Sequence, residues 1–193
     1  VSSWKSKNMH MSLAGAQFAG RPKTTINRMD SYITFTRFRG GRFQVLPAPC
    51  RRMHRFVQTN EEDPEAGGAL IGRYISGTGD VVVDEITVPL PPDEQTRKTF
   101  HRTQASHQQK IEMAWMDSGH TQTYLGEWHT HPEAVPVPSE LDRLNWTEKL
   151  SRDRFGESLF FLIVGTERIR AWEGRPGTGV KNLAGKEQSP SLQ

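Results

Sequence analysis

The 193-residue chain has a single cysteine, Cys50. One thiol excludes an internal disulfide framework and any zinc site built on several thiolates. A metal held here would have to use histidine and carboxylate ligands. Long apolar runs are also missing. No stretch approaches the roughly 20 consecutive apolar residues that span a bilayer as a helix, and the expectation is a soluble, cytoplasmic protein with no membrane partner. Hydrophobic residues make up only 34% of the chain, which fits one domain with a modest core and long polar segments. No internal repeat is visible. Acids are scarce at the start: residues 1–52 hold ten Lys/Arg and one acid, Asp30, a net +9, against −6 for the remainder. Such an arm either meets an acidic partner or is a solvated tail. The calculated pI of about 9.2 invites a nucleic-acid reading, but the basic excess sits in the arm and the body is acidic, which argues against that partner.

Residues 1–28 differ from the rest. They hold no acid and contain the small-residue run Leu13-Ala14-Gly15-Ala16-Gln17-Phe18-Ala19-Gly20. They are expected to lie outside the folded domain, as a leader, an appended extension or a substrate-like peptide. The domain itself is expected over 29–173, followed by a flexible Gly-, Pro- and Ser-containing tail over 174–193. Within the domain, Ile33–Phe38 alternates apolar and polar residues as a half-buried strand does. Gly40-Gly41 turns into a second strand, Arg42–Leu46. Residues 49–58 read as a short helix. Ala69–Tyr74 and Val81–Val88 read as strands around the turn Ser76–Gly79. The run Pro89-Leu90-Pro91-Pro92 cannot continue a ladder. Residues 101–117 have helical composition, Gln122–Thr130 reads as a strand and Ser139–Arg152 as a helix. Leu159–Val164 and Arg168–Trp172 form a closing hairpin. Strands with interspersed helices predict an α+β fold, an α/β sandwich.

The informative segment is Glu127-Trp128-His129-Thr130-His131-Pro132, followed by Ser139-Glu140-Leu141-Asp142. Residues i and i+2 of a strand face one side, so His129 and His131 project together, ~6.6 Å apart along the backbone. Asp142, one turn into the next helix, can add a carboxylate oxygen. Three protein ligands leave a fourth tetrahedral position for water, as in catalytic zinc sites. Hydrolysis also needs a proton carrier, expected as a carboxylate from a different strand, and a donor for the oxyanion. Ser139 shares a helix face with Asp142 and can donate.

Plainer readings exist for each residue. His-x-His on a strand also arises by chance. Ser139-x-x-Asp142 after Pro138 matches a helix capping box, and a carboxylate on a metal is less free to cap. Glu127 shares the histidines' face and competes for the role of base; Glu133 also flanks them. Trp128 points the other way, into the core. His101, His107 and His120 are expected to face solvent, and Cys50 to be an inert thiol.

The spacing His129-x-His131-Pro132, Ser139, Asp142 resembles the signature of the JAMM (MPN+, JAB) metallopeptidases, and Glu65-Ala66-Gly67-Gly68-Ala69-Leu70-Ile71-Gly72 resembles the family's upstream glutamate before a glycine-rich strand. The resemblance covers about residues 33–173. It implies a curved mixed β-sheet flanked by helices, of cytidine-deaminase-like layout. It also implies one catalytic Zn²⁺ on His129, His131 and Asp142, with Glu65 as general acid/base and Ser139 at the oxyanion. Family members cleave isopeptide or peptide bonds after the C-terminal tail of a conjugated protein. The long segment between Pro92 and His120 departs from compact members. The phrases around Glu65 and His129 are similar to bacterial JAB peptidases found beside CBASS anti-phage systems. That likeness implies as substrate a cyclic-oligonucleotide synthase joined to targets by a ubiquitin-like conjugating enzyme. Small residues suit a narrow β-edge channel, so residues 1–28 could carry a substrate-like peptide.

Other readings are a peptidase that processes ubiquitin-like or sulfur-carrier proteins, and a non-catalytic MPN scaffold. Scaffolds of this fold usually lack the ligands, and all five positions are filled here. Amidohydrolase barrels also begin with His-x-His but need ~250 residues. Metallo-β-lactamase-like sites place an aspartate and a histidine where Pro132 and Glu133 stand.

Overall fold

Residues 32–152 and 158–188 are described by a computed structural model. Alternating burial of Ile33 and Phe35 forms β1, Tyr32–Thr36, and the Gly40-Gly41 turn leads to β2, Arg42–Val45. Helix α1, Pro47–His54, starts on prolines, whose fixed φ suits a first turn, and ends on Arg51, Arg52 and His54, whose charge suits the negative helix end. A hairpin follows, β3 (Gly67–Tyr74) and β4 (Val81–Ile86). A small second hairpin, β5 (Glu94–Gln95) and β6 (Phe100–His101), precedes α2, Gln104–Asp117. Strand β7 (Thr123–Thr130), α3 (Glu140–Arg152), β8 (Leu159–Val164), β9 (Ile169–Arg175) and β10 (Gly179–Gln188) complete the chain.

Eight strands close into a barrel in the order β1-β10-β9-β8-β7-β3-β4-β2. The pairs β2–β4 and β7–β8 are parallel and the others antiparallel. A mixed sheet flanked by helices is therefore present, but it is a barrel and not the expected sandwich. Closure has a definite cause. Strand β10 pairs with β9 on one side and with β1 on the other, and β2 pairs with β4, so no strand of the eight keeps a free edge. The same pairing corrects the expectation of a flexible tail from residue 174: β9 continues to Arg175, and β10 runs from 179 to 188. The segment 1–28 and residues 189–193 lie outside the described residues.

Side chains fill the barrel, as its strand number requires. Phe43 stacks on Phe160 at 4.2 Å between centroids, and Val45, Leu70, Leu125, Trp128 and Leu162 are buried around them. Cys50 and Met53 of α1 join this cluster, so the thiol is a buried packing group. Strand β8 is apolar at every position, Leu-Phe-Phe-Leu-Ile-Val, because both faces are covered. Phe160, Leu162 and Val164 face the interior, while Phe161 and Ile163 meet Trp146 and Leu150 of α3. Trp146 stacks on Phe161 at 4.6 Å, which sets α3 against the outside of β8 and β9. Ile111 and Ala114 set α2 against Ala69 and Ile71 of β3. Among the described residues no helix is long and apolar enough to cross a membrane.

One histidine differs from expectation. His101 and His120 are exposed, but His107 is fully buried in α2. Its Nε2 lies 2.8 Å from Asp93 Oδ2 and its Nδ1 2.5 Å from Thr87 Oγ1. Thr87 Oγ1 accepts the backbone N–H of Ala69 at 2.7 Å. Asp93 also accepts the N–H groups of Leu90 and Thr103, at 2.7 and 2.8 Å. A buried polar group costs little only when its hydrogen bonds are made, and both ring nitrogens of His107 and both carboxylate oxygens of Asp93 have partners. This network fastens both feet of the β5–β6 hairpin to the barrel.

Candidate metal centre

Strand β7 brings the histidines to the outer face. The usual alternation is shifted by a β-bulge: Leu70 pairs with Gly126 and Ile71 with Tyr124, leaving Leu125 over. As a result Leu125 and Trp128 both point inward, while Tyr124 packs outside on the same face as Glu127 and His129. Gly126 makes the bulge, at φ 140°; a Cβ there would lie 1.9 Å from the carbonyl oxygen of Phe160. Only glycine fits.

His131 follows the end of β7, and its N–H bonds Val164 O at 3.0 Å. The rings of His129 and His131 converge with Nε2 atoms 3.1 Å apart. Asp142 reaches both from α3: Oδ1 is 3.2 Å from His129 Nε2, and Oδ2 is 3.4 Å from His131 Nε2. Metal–ligand bonds of ~2.0–2.1 Å at tetrahedral angles put neighbouring ligands about 3.3–3.4 Å apart; the histidine pair and each histidine–carboxylate contact come near that spacing, with each ring facing a different oxygen of Asp142. Together these atoms could hold a single ion. The outer nitrogen of His131, Nδ1, lies 3.0 Å from Glu133 Oε2, the kind of carboxylate contact that fixes a ligating imidazole.

Burial raises the Glu65 carboxyl above the ordinary carboxylate value, although the neighbouring histidines oppose it. For Asp142 burial also works upward, but hydrogen bonds from His129, His131 and Ser139 win and hold it far below the usual range. Burial would lower His131; Asp142, with Glu133 and Glu65, outweighs it and raises the imidazole.

Glu65 arrives from a separate segment. The N–H of Thr130 bonds Ala66 O at 2.8 Å, and Thr130 Oγ1 accepts the N–H of Ala66 at 3.0 Å. That double contact places Glu65 beside the histidine pair. The hairpin holds it from the other side: the N–H of Glu65 bonds Thr96 O at 2.7 Å, and Gln95 Nε2 donates to Glu65 O at 2.9 Å. The glycine after Ala66 has its reason here, since a Cβ on Gly67 would meet the Phe100 ring at 2.5 Å.

Glu65, His129, His131, Ser139 and Asp142 all line one open cavity of about 900 Å³. Glu127, the competing carboxylate, lines it too. Its Oε1 lies 2.6 Å from Arg102 and 2.9 Å from Lys149. Burial favours its neutral form, but Lys149 and Arg102 prevail and lower it below the ordinary value. An anion pinned by two cations is a poor proton acceptor. Ser139 and Asp142 do make the capping box: the Ser139 N–H and hydroxyl donate to Asp142 Oδ2 at 2.7 and 2.6 Å, and the Asp142 N–H donates to Ser139 Oγ at 3.1 Å. Capping and facing the histidines coexist, because the carboxylate bridges helix terminus and ligand pair. Arg102 and Lys149 are cavity residues that sequence reasoning missed. A seven-residue spacing from Asp142, two helical turns on one face, was the available signal for Lys149; none marks Arg102.

The family of prokaryotic homologs of the JAB domain matches residues 47–174. A CD-NTase/cGAS isopeptidase of Pseudomonas aeruginosa is 37% identical over 123 residues, 64% of this chain and 76% of that protein. A CD-NTase/cGAS isopeptidase of Vibrio cholerae is 36% identical over 124 residues, 64% of this chain and 75% of its own. Among solved structures, a Desulfitobacterium hafniense protein superposes with a TM-score of 0.50 at 22% identity, over 72% of this chain and 87% of the other. At that identity the likeness concerns fold alone.

Proposed function

The chain belongs to the prokaryotic JAB-domain family, and from that premise we propose that it is a zinc-dependent isopeptidase acting on a conjugated protein. The observation that carries the reading is the convergence of His129, His131 and Asp142 within 4.8 Å of one another, in a cavity that also contains Glu65. His and carboxylate donors in a three-ligand set suit zinc. His129, His131 and Asp142 would hold the ion, which would supply Lewis acidity for the attacking water and the scissile carbonyl.

The chain's own groups do the rest. Glu65 accepts the proton of the attacking water and returns it to the leaving amine, and burial makes its carboxylate more basic than an exposed one. Ser139 donates its hydroxyl to the oxyanion. At rest its one hydrogen points to Asp142 Oδ2, so this service requires the hydroxyl to rotate. Glu133 keeps the His131 ring in place through Nδ1. The names of the relatives from P. aeruginosa and V. cholerae point to the substrate: a cyclic-oligonucleotide synthase of CD-NTase type, released from a conjugate by cleavage after its C-terminal tail.

The deciding experiment compares wild type with Glu65→Gln on a synthase fusion carrying its C-terminal tail, with bound zinc measured in both. Cleavage by wild type, loss of about 10²–10⁴-fold in the variant and about one zinc per chain in each is the expected result. Wild type holding zinc yet cutting no tail would sink the reading.

A further inference from the structure

The charges around the cavity are sorted. Asp142 and Glu133 contact the histidines, and Glu65 interacts with them electrostatically. Farther back on β7 the cavity turns cationic. Arg102, from the connection between β6 and α2, and Lys149, from α3, meet above Glu127, and Lys98 and Arg152 also line the cavity. This happens on a body whose residues 53–193 carry a net −6.

Arg102 and Lys149 share one oxygen of Glu127, at 2.6 and 2.9 Å. Two cations on one carboxylate leave a net positive charge at the cavity wall. Neither cation is sealed off: the Lys149 side chain is 37% exposed and that of Arg102 17%. The guanidinium is braced above the Tyr124 ring, 5.8 Å from its centroid. A structural ion pair needs one cation. The second, arriving from a different element, adds a positive charge and N–H donors that the single shared carboxylate oxygen does not use up.

We propose that Arg102, Lys149 and Glu127 form a subsite for an acidic side chain of the substrate, an aspartate or glutamate about two residues from the scissile bond. This rests on the peptidase reading of the cavity. The distance follows from the strand. Glu127 and His129 are i and i+2 on one face, ~6.6 Å apart, which is two residues of an extended chain. A substrate lying along β7 with its carbonyl at the histidines sets that neighbour over the cation pair. Arginine and lysine then bind its carboxylate by charge-assisted hydrogen bonds. Glu127 draws the two heads together on one oxygen and orients them, and disfavours a basic residue less than two bare cations would.

The test uses the full chain loaded with zinc and a set of tail fusions. Each of the three residues on either side of the scissile bond is changed in turn to Asp, Asn or Lys. Cleavage is measured for every fusion, and binding of the matching fluorescent tail peptides by anisotropy. The expected result is one position at which Asp is preferred over Asn by about tenfold, chiefly in KM and in peptide affinity. Lys149→Gln loses that preference and Lys149→Glu inverts it towards Lys, with melting temperature and bound zinc verifying that both variants are folded. Cleavage with no charge preference, or the same preference in wild type and Lys149→Glu, overturns the subsite and leaves the peptidase reading intact. Charge-selective peptide binding without cleavage keeps the subsite and overturns the peptidase reading. Neither binding nor cleavage overturns both.

Discussion

Ser139 and Asp142 hold each other: the carboxylate takes the serine's N–H and hydroxyl at 2.7 and 2.6 Å, and the serine oxygen takes the aspartate's N–H at 3.1 Å. The same carboxylate faces both histidines at 3.2 and 3.4 Å. The start of α3 and the candidate metal site are therefore one object. Ser139→Ala removes a cap worth about 1 kcal/mol, expected to lower the melting temperature by about 2–4 °C in a domain of this size. Losing the oxyanion donor lowers turnover by about 10²–10³-fold. Zinc content stays near that of wild type. A variant that melts lower but turns over normally would confine the serine to capping.

Acidification is expected to silence the enzyme above the range of an ordinary carboxylate. In the proposed mechanism Glu65 acts as its anion, and burial raises its protonation constant, so protonation is expected to begin at a higher pH than for an exposed glutamate. The acid limb of kcat/KM should show this, with bound zinc measured at each pH to separate protonation of Glu65 from loss of metal. A limb at or below pH 4.5 with metal retained would contradict it.

Asp93 gives a stability prediction. Burial pushes its carboxyl up, but His107 and the N–H groups of Leu90 and Thr103 prevail and lower it below the ordinary 3.8. A depressed folded-state value stabilises above the unfolded value, and that contribution is lost as pH falls through the folded one. At pH 7 Asp93→Asn is expected to cost about 2 kcal/mol. The gap to wild type should narrow below pH 4 in denaturant titrations. A gap independent of pH would mean that the carboxylate charge contributes nothing.

Gly126→Ala should be far more damaging than a surface methyl. Its φ of 140° and the 1.9 Å approach to Phe160 O leave no place for a Cβ. A loss of about 4 kcal/mol or outright failure to fold is expected, read from melting curves. A melting temperature within 3 °C of wild type would show that the bulge can relax.

The cluster of His129, His131 and Asp142 is legible in the sequence because its geometry is local: a strand's period of two and the first turn of the next helix fix it. Glu65 is legible only through the glycines that follow it, and their cause, Phe100 lying on Gly67, is visible only in the fold. His107 defeats local reading, since its partners Thr87 and Asp93 stand 20 and 14 positions earlier and nothing in a polar helix announces them. Strand β10 defeats it too. Among its residues through Gly185 only Leu183 is buried, so it has no apolar period; ladder bonds to β1 and β9 hold it in place. That strand decides between barrel and sandwich, so the architecture was the least legible feature.

Closure by β10 also sets a timetable for the nascent chain. Thr36 pairs with Ala184 and Tyr32 with Gln188, so β1 leaves the ribosome about 150 residues before its partner does. At about 5–20 residues per second that is roughly eight to thirty seconds with one flank of β1 bare. Strand β9 waits more briefly with an open flank of its own. Such unpaired edges invite pairing with other chains. The vulnerable moment in the life of this molecule is its synthesis, and destabilising β10 should appear first as lower yield from cells, before any loss of activity per folded molecule.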